Sequence, residues 1–591
     1  MILQALTSLY EALAQKGEIS KEGWSREKIS FALGIDENGD LLRITPLFET
    51  VDGPKGKTRE VPQKMTVPAA VKRTSGAAAN FLWDNSSYIL GVSLKKGEND
   101  AEREKRRNKD IKCFEACREL HHSMLDGMEY PAAKAVLNFL DKWEPQKAEE
   151  NNLVAQYAKE ILSGANMVFR FNGGYVHDDP QLASVWQKAN AKQKDNIGQC
   201  LITGELDAIP NTHPTIKGVQ GAQSSGAALV SFNASAFCSY NKEQNQNAPV
   251  GKYAAFAYTT ALNHLLADRK NVHRIGDAAV VCWAENADKQ YEDFAAEVFF
   301  GDNVDKSDEQ RLSALRTSLK LLADGLPCKE MDLDPDRKFY ILGLSPNAAR
   351  LAVRFFYCDS FGKIAGNIYK HHERLEIVRP SYDKFPILPL WKLLSATVNP
   401  NAKDKTPNAA MAGVVARAVF SGGRYPASLL ECTFLRIKAE RNITRERAAI
   451  IKAYYLRNPN EKCPKEVLTV SLNENSKNIP YTLGRLFSVY EEIQQAANPG
   501  INTTIKDRYF GSAAAMPATV FPILSNLAQK HLRKLSDAQR VYLDKKVMTL
   551  KSVLGEQYPA HMSLPEQGSF DLGYYHQTQK RYTKKEEKEN V

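Results

Sequence analysis

Residues 29–47 have the sequence ISFALGIDENGDLLRITPL, and this stretch decides the fold predicted for the N-terminal part of the chain. Apolar residues occupy every second position over 29–35, which is the period of a strand that buries one face. The dipeptide Asn38-Gly39 is typical of a tight turn between two strands. The stretch therefore predicts a β-hairpin whose second strand spans about 41–47.

Strand and helix patterns alternate beyond this hairpin. A second hairpin is predicted from strands at 167–171 and 175–177, which flank an Asn-Gly-Gly turn. The pattern then predicts a strand at 339–344 and a helix at 346–357. After about residue 410 the strand pattern fades and helical periodicity replaces it. The helical segments are 445–457, 483–497, 521–535 and 538–554.

These patterns predict an α+β, multi-domain protein with a mixed α/β N-terminal portion that contains β-hairpins and a C-terminal helical bundle. The length of 591 residues corresponds to about four units of roughly 150 residues. The predicted domains are an N-terminal α+β region at 1–112, a central mixed α/β nucleic-acid-binding region at 113–410, a helical connector at 411–477 and a helical bundle at 478–591. The bundle is predicted to end in a basic, disordered tail at 580–591.

The composition is that of an ordinary folded protein with a mild excess of positive charge. Hydrophobic residues make up 43% of the chain and charged residues 25%, which excludes wholesale disorder and a disulfide-dense miniprotein. The formal net charge of +10 is too small for a histone-like protein but suits a locally basic nucleic-acid channel. The chain has nine cysteines and no Cys-x-x-Cys pair, which suits reduced thiols in a cytosol. It also has no apolar run that approaches about 20 residues. We therefore expect a soluble cytoplasmic protein without a membrane partner.

Motifs of catalysis are weak in this sequence. Gly56-Lys57-Thr58 lacks the first glycine that a phosphate-binding loop requires. His177-Asp178 could belong to a metal-dependent phosphohydrolase, but its place just before Asp179-Pro180 favours a helix cap. We therefore assign no catalytic residue, no metal and no cofactor, and we expect that the protein is not an enzyme.

Two polar stretches contain the kinds of group that contact phosphates and base edges. The first, 71–85, sets cations, amides and aromatic residues beside a flexible glycine, and the second, 213–249, has three glycines within nine residues. Tight structural turns are the alternative explanation for both stretches. The candidate nucleic-acid-binding residues are Lys72, Arg73, Ser75, Asn80, Asn85, Lys217, Gln220, Gly221, Gln223, Ser224, Ser225, Gly226, Lys242, Gln244 and Asn245.

Long ordered strings within and beyond these stretches resemble a known family. They include 1–6 (MILQAL), 200–205 (CLITGE), 213–226 (HPTIKGVQGAQSSG) and 421–426 (SGGRYP). In these strings the chain resembles the large subunit of type I-C CRISPR Cascade, the Csd-type interference protein. The resemblance implies an RNA-guided surveillance complex in which this subunit sits at the end that carries the 5′ handle of the guide.

The implied role is to recognise the protospacer-adjacent motif in double-stranded DNA, to open the duplex for R-loop formation and to help recruit the nuclease for antiviral defence. Catalysis belongs to other subunits in this family. The implied partners are the CRISPR RNA 5′ handle, the target duplex and its displaced strand, the backbone and handle-binding subunits, a small helical subunit and the helicase-nuclease.

The resemblance also suggests roles for the candidate residues. The expected phosphate or groove contacts are Lys72, Arg73, Lys217 and Lys242. The expected base contacts or supports of a duplex wedge are Asn80, Asn85, Gln220, Gln223, Ser224, Ser225, Gln244 and Asn245. Gly221 and Gly226 are expected to permit close approach of DNA. Five cations are expected to hold the displaced strand, unless they form only the solvated face of a helix pair, and they are Lys530, Arg533, Lys534, Lys545 and Lys546.

In this family the C-terminal helical region can also be made as a separate small subunit by internal translation, which makes the bundle at 478–591 small-subunit-like. No methionine lies between Met411 and Met516, so such a start would need a non-AUG codon between 467 and 483. Two other functions stay open. One is a metal-dependent nuclease that uses His177 and Asp178, and the other is a scaffold that binds nucleic acid without a guide.

Overall fold

The computed structural model describes residues 1–52, 58–71, 73, 76–95, 97–191, 196–301, 309–383 and 385–589. The chain divides into two compact units. The first unit comprises residues 10–213 and 232–261, and the second comprises residues 1–9, 214–231 and 262–591. The predicted α+β class is confirmed, because sheets lie in the N-terminal portion and helices fill the C-terminal region. The predicted domain limits stay a prediction.

The first unit is built on two small sheets and a hairpin. Its strands are β1 (Trp24–Ile29), β2 (Phe31–Ile35), β3 (Leu41–Pro46), β4 (Phe48–Asp52), β5 (Thr58–Pro68), β6 (Trp83–Asn85), β7 (Asn166–Phe171), β8 (Gly174–Tyr175), β9 (Ile197–Gln199) and β10 (Leu206–Ala208). One sheet has the order β3-β2-β7-β6 with β8 paired to β7, the second has the order β1-β5-β4, and β9 pairs with β10. Strands β2 and β7 are parallel, whereas β2 and β3 are antiparallel.

Both predicted hairpins are confirmed. Leu33 of β2 is opposite Ile44 of β3, and the turn between these strands contains Gly39 with a φ of +81°. A Cβ at Gly39 would lie 2.2 Å from the backbone nitrogen of Phe139, so only glycine fits this turn. The second hairpin joins β7 and β8, but its second strand ends at Tyr175 and the chain continues as a 3₁₀ turn.

Helices supply most of the remaining structure. They are α1 (Ile2–Gln15), α2 (Ser86–Ile89), α3 (Asp100–Leu125), α4 (Pro131–Lys142), α5 (Asn152–Ala155), α6 (Ala158–Ile161), α7 (Pro180–Ala191), α8 (Lys252–Ala267), α9 (Lys289–Val298), α10 (Glu309–Ala323), α11 (Phe361–Leu375), α12 (Leu390–Ser395), α13 (Ala409–Ser421), α14 (Ala427–Glu440), α15 (Arg445–Arg457), α16 (Ile479–Ala497), α17 (Ile505–Ala515), α18 (Pro517–Leu532), α19 (Asp537–Leu554) and α20 (Leu564–Glu589). None of these described helices combines the length and the apolar surface that a bilayer-spanning segment requires.

The described residues of the second unit form one antiparallel sheet. Its strands are β11 (His273–Ile275), β12 (Ala278–Ala284), β13 (Lys338–Asn347) and β14 (Arg350–Ser360), paired in that order. The predicted helix at 346–357 is therefore wrong. Ala348 turns the chain with a φ of +52°, and the next residues pair with β13 over its whole length. Pairing with the preceding strand β13 outweighs the helix propensity of this Ala- and Arg-containing segment.

The C-terminal helices match the predicted segments closely. Helix α15 has the predicted bounds, while α16 and α18 begin about one turn earlier than predicted. Asn478 caps α16 by accepting the backbone N–H of Tyr481, and a proline opens the first turn of α18. These two signals explain the earlier starts.

Helices α16 and α20 touch backbone to backbone. A Cβ at Gly484 of α16 would lie 1.9 Å from the carbonyl oxygen of Phe570, and one at Gly573 of α20 would lie 2.1 Å from that of Tyr481. Two glycines thus let the helices pack closer than larger residues allow. Helix α20 extends to Glu589, and the predicted disorder of the basic tail at 580–591 stays a prediction.

Candidate nucleic-acid interface

A basic cleft lies in the first unit beside the first half of α3. It has a volume of about 800 Å³. The charged residues that line it are Arg73, Lys95, Arg106, Lys109, Asp110 and Lys112. Helix α3 begins with a capping box between Asn99 and Glu102, which fixes the direction of its first turns. Cations outnumber acids in the lining, so the basic cleft carries a net positive charge.

Arg73 is held in place at the wall of the basic cleft. Its guanidinium forms an ion pair with the buried carboxylate of Asp84 and lies 4.0 Å from the ring centroid of Tyr88. Its Nε also donates a hydrogen bond of 2.7 Å to the carbonyl of Ala78. Burial raises the pKa of Asp84, and the hydrogen bond from Arg73 opposes that rise. Arg73 is therefore both a structural partner of Asp84 and a preoriented cation.

The other cations of the cleft differ in how far acids compensate them. Arg106 donates to Glu98 at 2.7 Å and lies 3.4 Å from Asp110, so its charge is largely balanced. Lys109 and Lys112 are exposed on the next turns of α3. These two lysines, which the predicted site residues did not include, supply much of the positive charge in the cleft.

The predicted polar residues of this stretch have structural contacts. Asn80 is buried, and its Oδ1 accepts the backbone N–H of Val71 at 2.8 Å. Asn85 lines the cleft and caps α2 by accepting the N–H of Ser87 at 3.0 Å. These contacts favour a positioning role for Asn80 over contact with a base. Lys72 and Ser75 lie outside the described residues.

A glycine-rich loop of the second unit, residues 214–228, contains several of the candidate nucleic-acid-binding residues with exposed side chains. Its two sides are joined by backbone hydrogen bonds of 2.9 and 2.8 Å between Ile216 and Ala227. Asn263 of α8 accepts the N–H of Lys217 at 2.8 Å through its side chain. The exposed polar side chains of the loop are Lys217, Gln220, Gln223, Ser224 and Ser225. The loop thus presents hydrogen-bonding groups to solvent from a fixed base.

The glycines of this loop serve its own folding. Gly226 is buried with a φ of +103°, and a Cβ there would lie 2.6 Å from the hydroxyl oxygen of Thr215. Gly221 is exposed with a φ of +86°, and its Cβ would lie 3.2 Å from Pro346. Backbone conformation therefore requires both glycines whether or not DNA approaches them.

Arg274 is a neighbour of the loop that sequence reasoning missed. Its Nη1 donates a hydrogen bond of 3.1 Å to the Oε1 of Gln220, and its Nε donates to the carbonyl of Gly276. The strand β11 has a buried, exposed, buried pattern with Arg274 at the exposed position. This alternation is visible in the sequence but spans only three residues, too few to mark a strand.

The predicted residues at 242–245 belong to the first unit. Lys242 is exposed and Gln244 half-buried, whereas Asn245 is buried. The Oδ1 of Asn245 lies 2.9 Å from the Nε2 of His213, whose Nδ1 lies 2.6 Å from the hydroxyl of Tyr258. Burial lowers the pKa of His213, so the ring is neutral and can bridge these two partners. Asn245 thus has a structural role.

The predicted C-terminal cations lie on and just after α18 and on α19. Lys530, Arg533 and Lys545 are exposed, and Lys534 donates to the Oδ1 of Asn498 at 3.4 Å. Lys546 forms an ion pair of 3.2 Å with Glu492 and lies 4.4 Å from the ring centroid of Tyr542. Glu492 therefore compensates the charge of Lys546, whereas Lys545 presents its charge to solvent.

The pair His177-Asp178 has an arrangement unlike that of a metal site. His177 is 1% exposed, while Asp178 is 63% exposed and 3.6 Å away. Within the described ranges, no group of three or more histidine, cysteine or acidic side chains is arranged to hold a metal ion. Burial lowers the pKa of His177, as in a packed core histidine. These contacts favour a structural role for His177.

Comparison with known proteins places the chain among CRISPR-associated proteins. A family model described as CRISPR-associated protein (Cas_Csd1) matches residues 6–582, nearly the whole chain. The chain belongs to this family, which confirms the resemblance inferred from its sequence and implies that it takes part in a Cas complex. No curated protein is significantly similar to it in sequence.

Proposed function

We propose that this chain is the large subunit of a type I-C Cascade. In that role it recognises the protospacer-adjacent motif in double-stranded DNA, promotes duplex opening and R-loop formation, and helps recruit the helicase-nuclease for antiviral defence. Its partners are the 5′ handle of the guide, the backbone and handle-binding subunits, and a small helical subunit. The chain itself contributes binding and positioning rather than catalysis.

The glycine-rich loop is the observation that carries this proposal. Sequence is recognised in DNA by side chains that reach base edges from a rigid support. The loop offers such side chains, because Gln220, Gln223 and Ser224 are exposed while Ile216 and Ala227 hold its base. In RNA-guided systems the protein needs to recognise only a short motif, since base pairing with the guide recognises the rest. A short loop of this kind suffices for that task.

The basic cleft supports the same function by a different kind of contact. Phosphate contacts fix the position of a duplex but carry no sequence information. Lys109 and Lys112, with the preoriented Arg73, provide cations for such contacts. The proposal thus divides the work between base recognition at the loop and backbone binding at the cleft.

Binding of duplexes with and without a functional motif to the assembled, guide-loaded complex tests the proposal. We expect Gln223→Ala to reduce the preference for the motif by about 10-fold, because one good base contact contributes about 1–3 kcal/mol. The matched control is Gln539→Ala, which removes an exposed glutamine from α19 and should leave the preference unchanged. If Gln223→Ala and Gln220→Ala both bind with unchanged preference, the loop does not recognise the motif.

A further inference from the structure

A pocket in the second unit is lined by aromatic and basic side chains. It lies between β11 and α12, has a volume of about 520 Å³ and is lined by His273, Phe300 and Trp391, with Arg274 and Lys405 also in the lining. Small-molecule sites commonly span about 300–1,000 Å³, so one nucleotide fits. We refer to it as the aromatic pocket.

Two of its aromatic residues form a flat, rigid surface, and the third is accessible. The rings of His273 and Phe300 are stacked with a centroid distance of 3.8 Å and an angle of 8° between their planes. Both residues are buried, whereas Trp391 is 42% exposed although it packs edge-on against Phe385. An accessible aromatic ring beside an apolar surface is how proteins that bind single strands hold an unstacked base.

Charge at the pocket complements the backbone of a nucleic acid. Arg274 and Lys405 are exposed cations from two different segments of the lining. The nearby carboxylate of Asp404 accepts the N–H of Thr406 at 2.8 Å, which fixes the segment that carries Lys405. Arg274 also donates a hydrogen bond to Gln220, so this one side chain connects the aromatic pocket with the glycine-rich loop.

We infer that the aromatic pocket binds one unstacked nucleotide of a single DNA strand, with the base against Trp391 and the phosphate near Arg274 and Lys405. The inference rests on the proposed function, because opening a duplex beside the glycine-rich loop releases a single strand there. It adds a site for the released strand that is separate from motif recognition. RNA offers the same chemistry, so the test includes both kinds of strand.

Fluorescence anisotropy of the full-length chain with labelled ten-nucleotide probes tests the site. The probes are oligothymidylate, the same backbone without bases, and oligouridylate. We expect Trp391→Ala to weaken oligothymidylate binding by about 10-fold and to leave binding of the abasic backbone unchanged. Trp391→Phe should stay within about threefold of the wild type, because it keeps an aromatic ring. The matched control is Tyr382→Ala, which removes an aromatic side chain that is 83% exposed outside the pocket lining.

Three results would overturn the inference: no binding of oligothymidylate by the wild type, equal affinity of the wild type and Trp391→Ala, or an equal loss on the abasic backbone. A Trp391-dependent preference for oligouridylate would overturn the assignment to DNA. Measuring the motif preference of the assembled complex distinguishes a failure of this inference from a failure of the proposed function. Trp391→Ala should leave that preference intact, whereas loop substitutions should reduce it.

Discussion

Replacing Gly484 or Gly573 by alanine tests the close contact between α16 and α20. Glycine in a helix interior is about 1 kcal/mol less favourable than alanine, so propensity alone predicts that either substitution stabilises the protein. The contact predicts the reverse, because the new Cβ would lie 1.9 Å from a carbonyl oxygen at Gly484 and 2.1 Å from one at Gly573. The sign of the effect therefore distinguishes the two explanations.

The magnitude follows from how far the helices must move. Since a Cβ hardly ever lies closer than 3.0 Å to another heavy atom, α16 and α20 would have to separate by about 1 Å to admit a methyl group at Gly484. Overpacking of this kind costs about 1–3 kcal/mol, and the separation also loosens buried neighbours such as Phe487 and Tyr574. We expect the free energy of unfolding of the second unit to fall by about 2–4 kcal/mol, which lowers its Tm by roughly 3–6 °C.

Differential scanning calorimetry of the full chain measures this shift. The control is Gly511→Ala in α17, where no described atom outside the adjoining backbone of the helix lies within 4 Å of the added Cβ. That variant should gain up to about 1 kcal/mol from helix propensity and raise the Tm slightly. If Gly484→Ala and Gly573→Ala raise the Tm as the control does, α16 and α20 do not approach each other as described.

Three further predictions concern the basic cleft and the glycine-rich loop. Lys109→Ala and Lys112→Ala should each weaken binding of every duplex, whatever its sequence. In titrations at several salt concentrations, each should also reduce the slope of log K against log salt by about one. A loss of affinity that depends on the DNA sequence would contradict phosphate contact. Arg73→Ala should lower the free energy of unfolding by about 2–3 kcal/mol at pH 7, because it leaves the buried Asp84 carboxylate without its cation. Burial raises the folded-state pKa of Asp84 and Arg73 opposes that rise. The destabilisation should therefore be smaller at acidic pH, where the carboxyl takes up a proton, and grow as the pH rises through the raised pKa; chemical denaturation showing equal losses at pH 4 and pH 7 would refute this. Gly226→Ala should lower the Tm, because its φ of +103° strains any residue with a Cβ, and an unchanged Tm would mean that the loop has another conformation.

Local signals made part of the fold predictable. The hairpin at 29–47 combines strand alternation with an Asn-Gly turn, and both signals act within a few residues. Helix α15 has a capping threonine at 444 and helical periodicity, so its bounds were predicted to the residue. The segment at 346–357 was assigned wrongly because its partner strand, not its own composition, determines its conformation.

The sequence predicts the residue types of the candidate site but not which of their side chains are exposed. Polar side chains look alike in a sequence whether they face solvent or hold the backbone, which is why Asn80 and Asn245 appeared beside Gln223 as possible base contacts. Their burial depends on partners distant in sequence, such as His213 for Asn245. The sequence could not reveal the aromatic pocket for the same reason, since its residues come from four separate segments at 273–276, 300, 390–395 and 405–407.

The construction of the glycine-rich loop has a consequence for how its exposed side chains can diverge among related chains. The residues that hold the loop, Ile216, Gly226 and Ala227, are buried, while Gln223 and Ser224 face solvent. Exposed substitutions away from such structural contacts usually change stability by no more than about 0.5 kcal/mol. Single substitutions at the exposed positions can therefore change the groups that the loop presents to solvent while the loop itself stays folded.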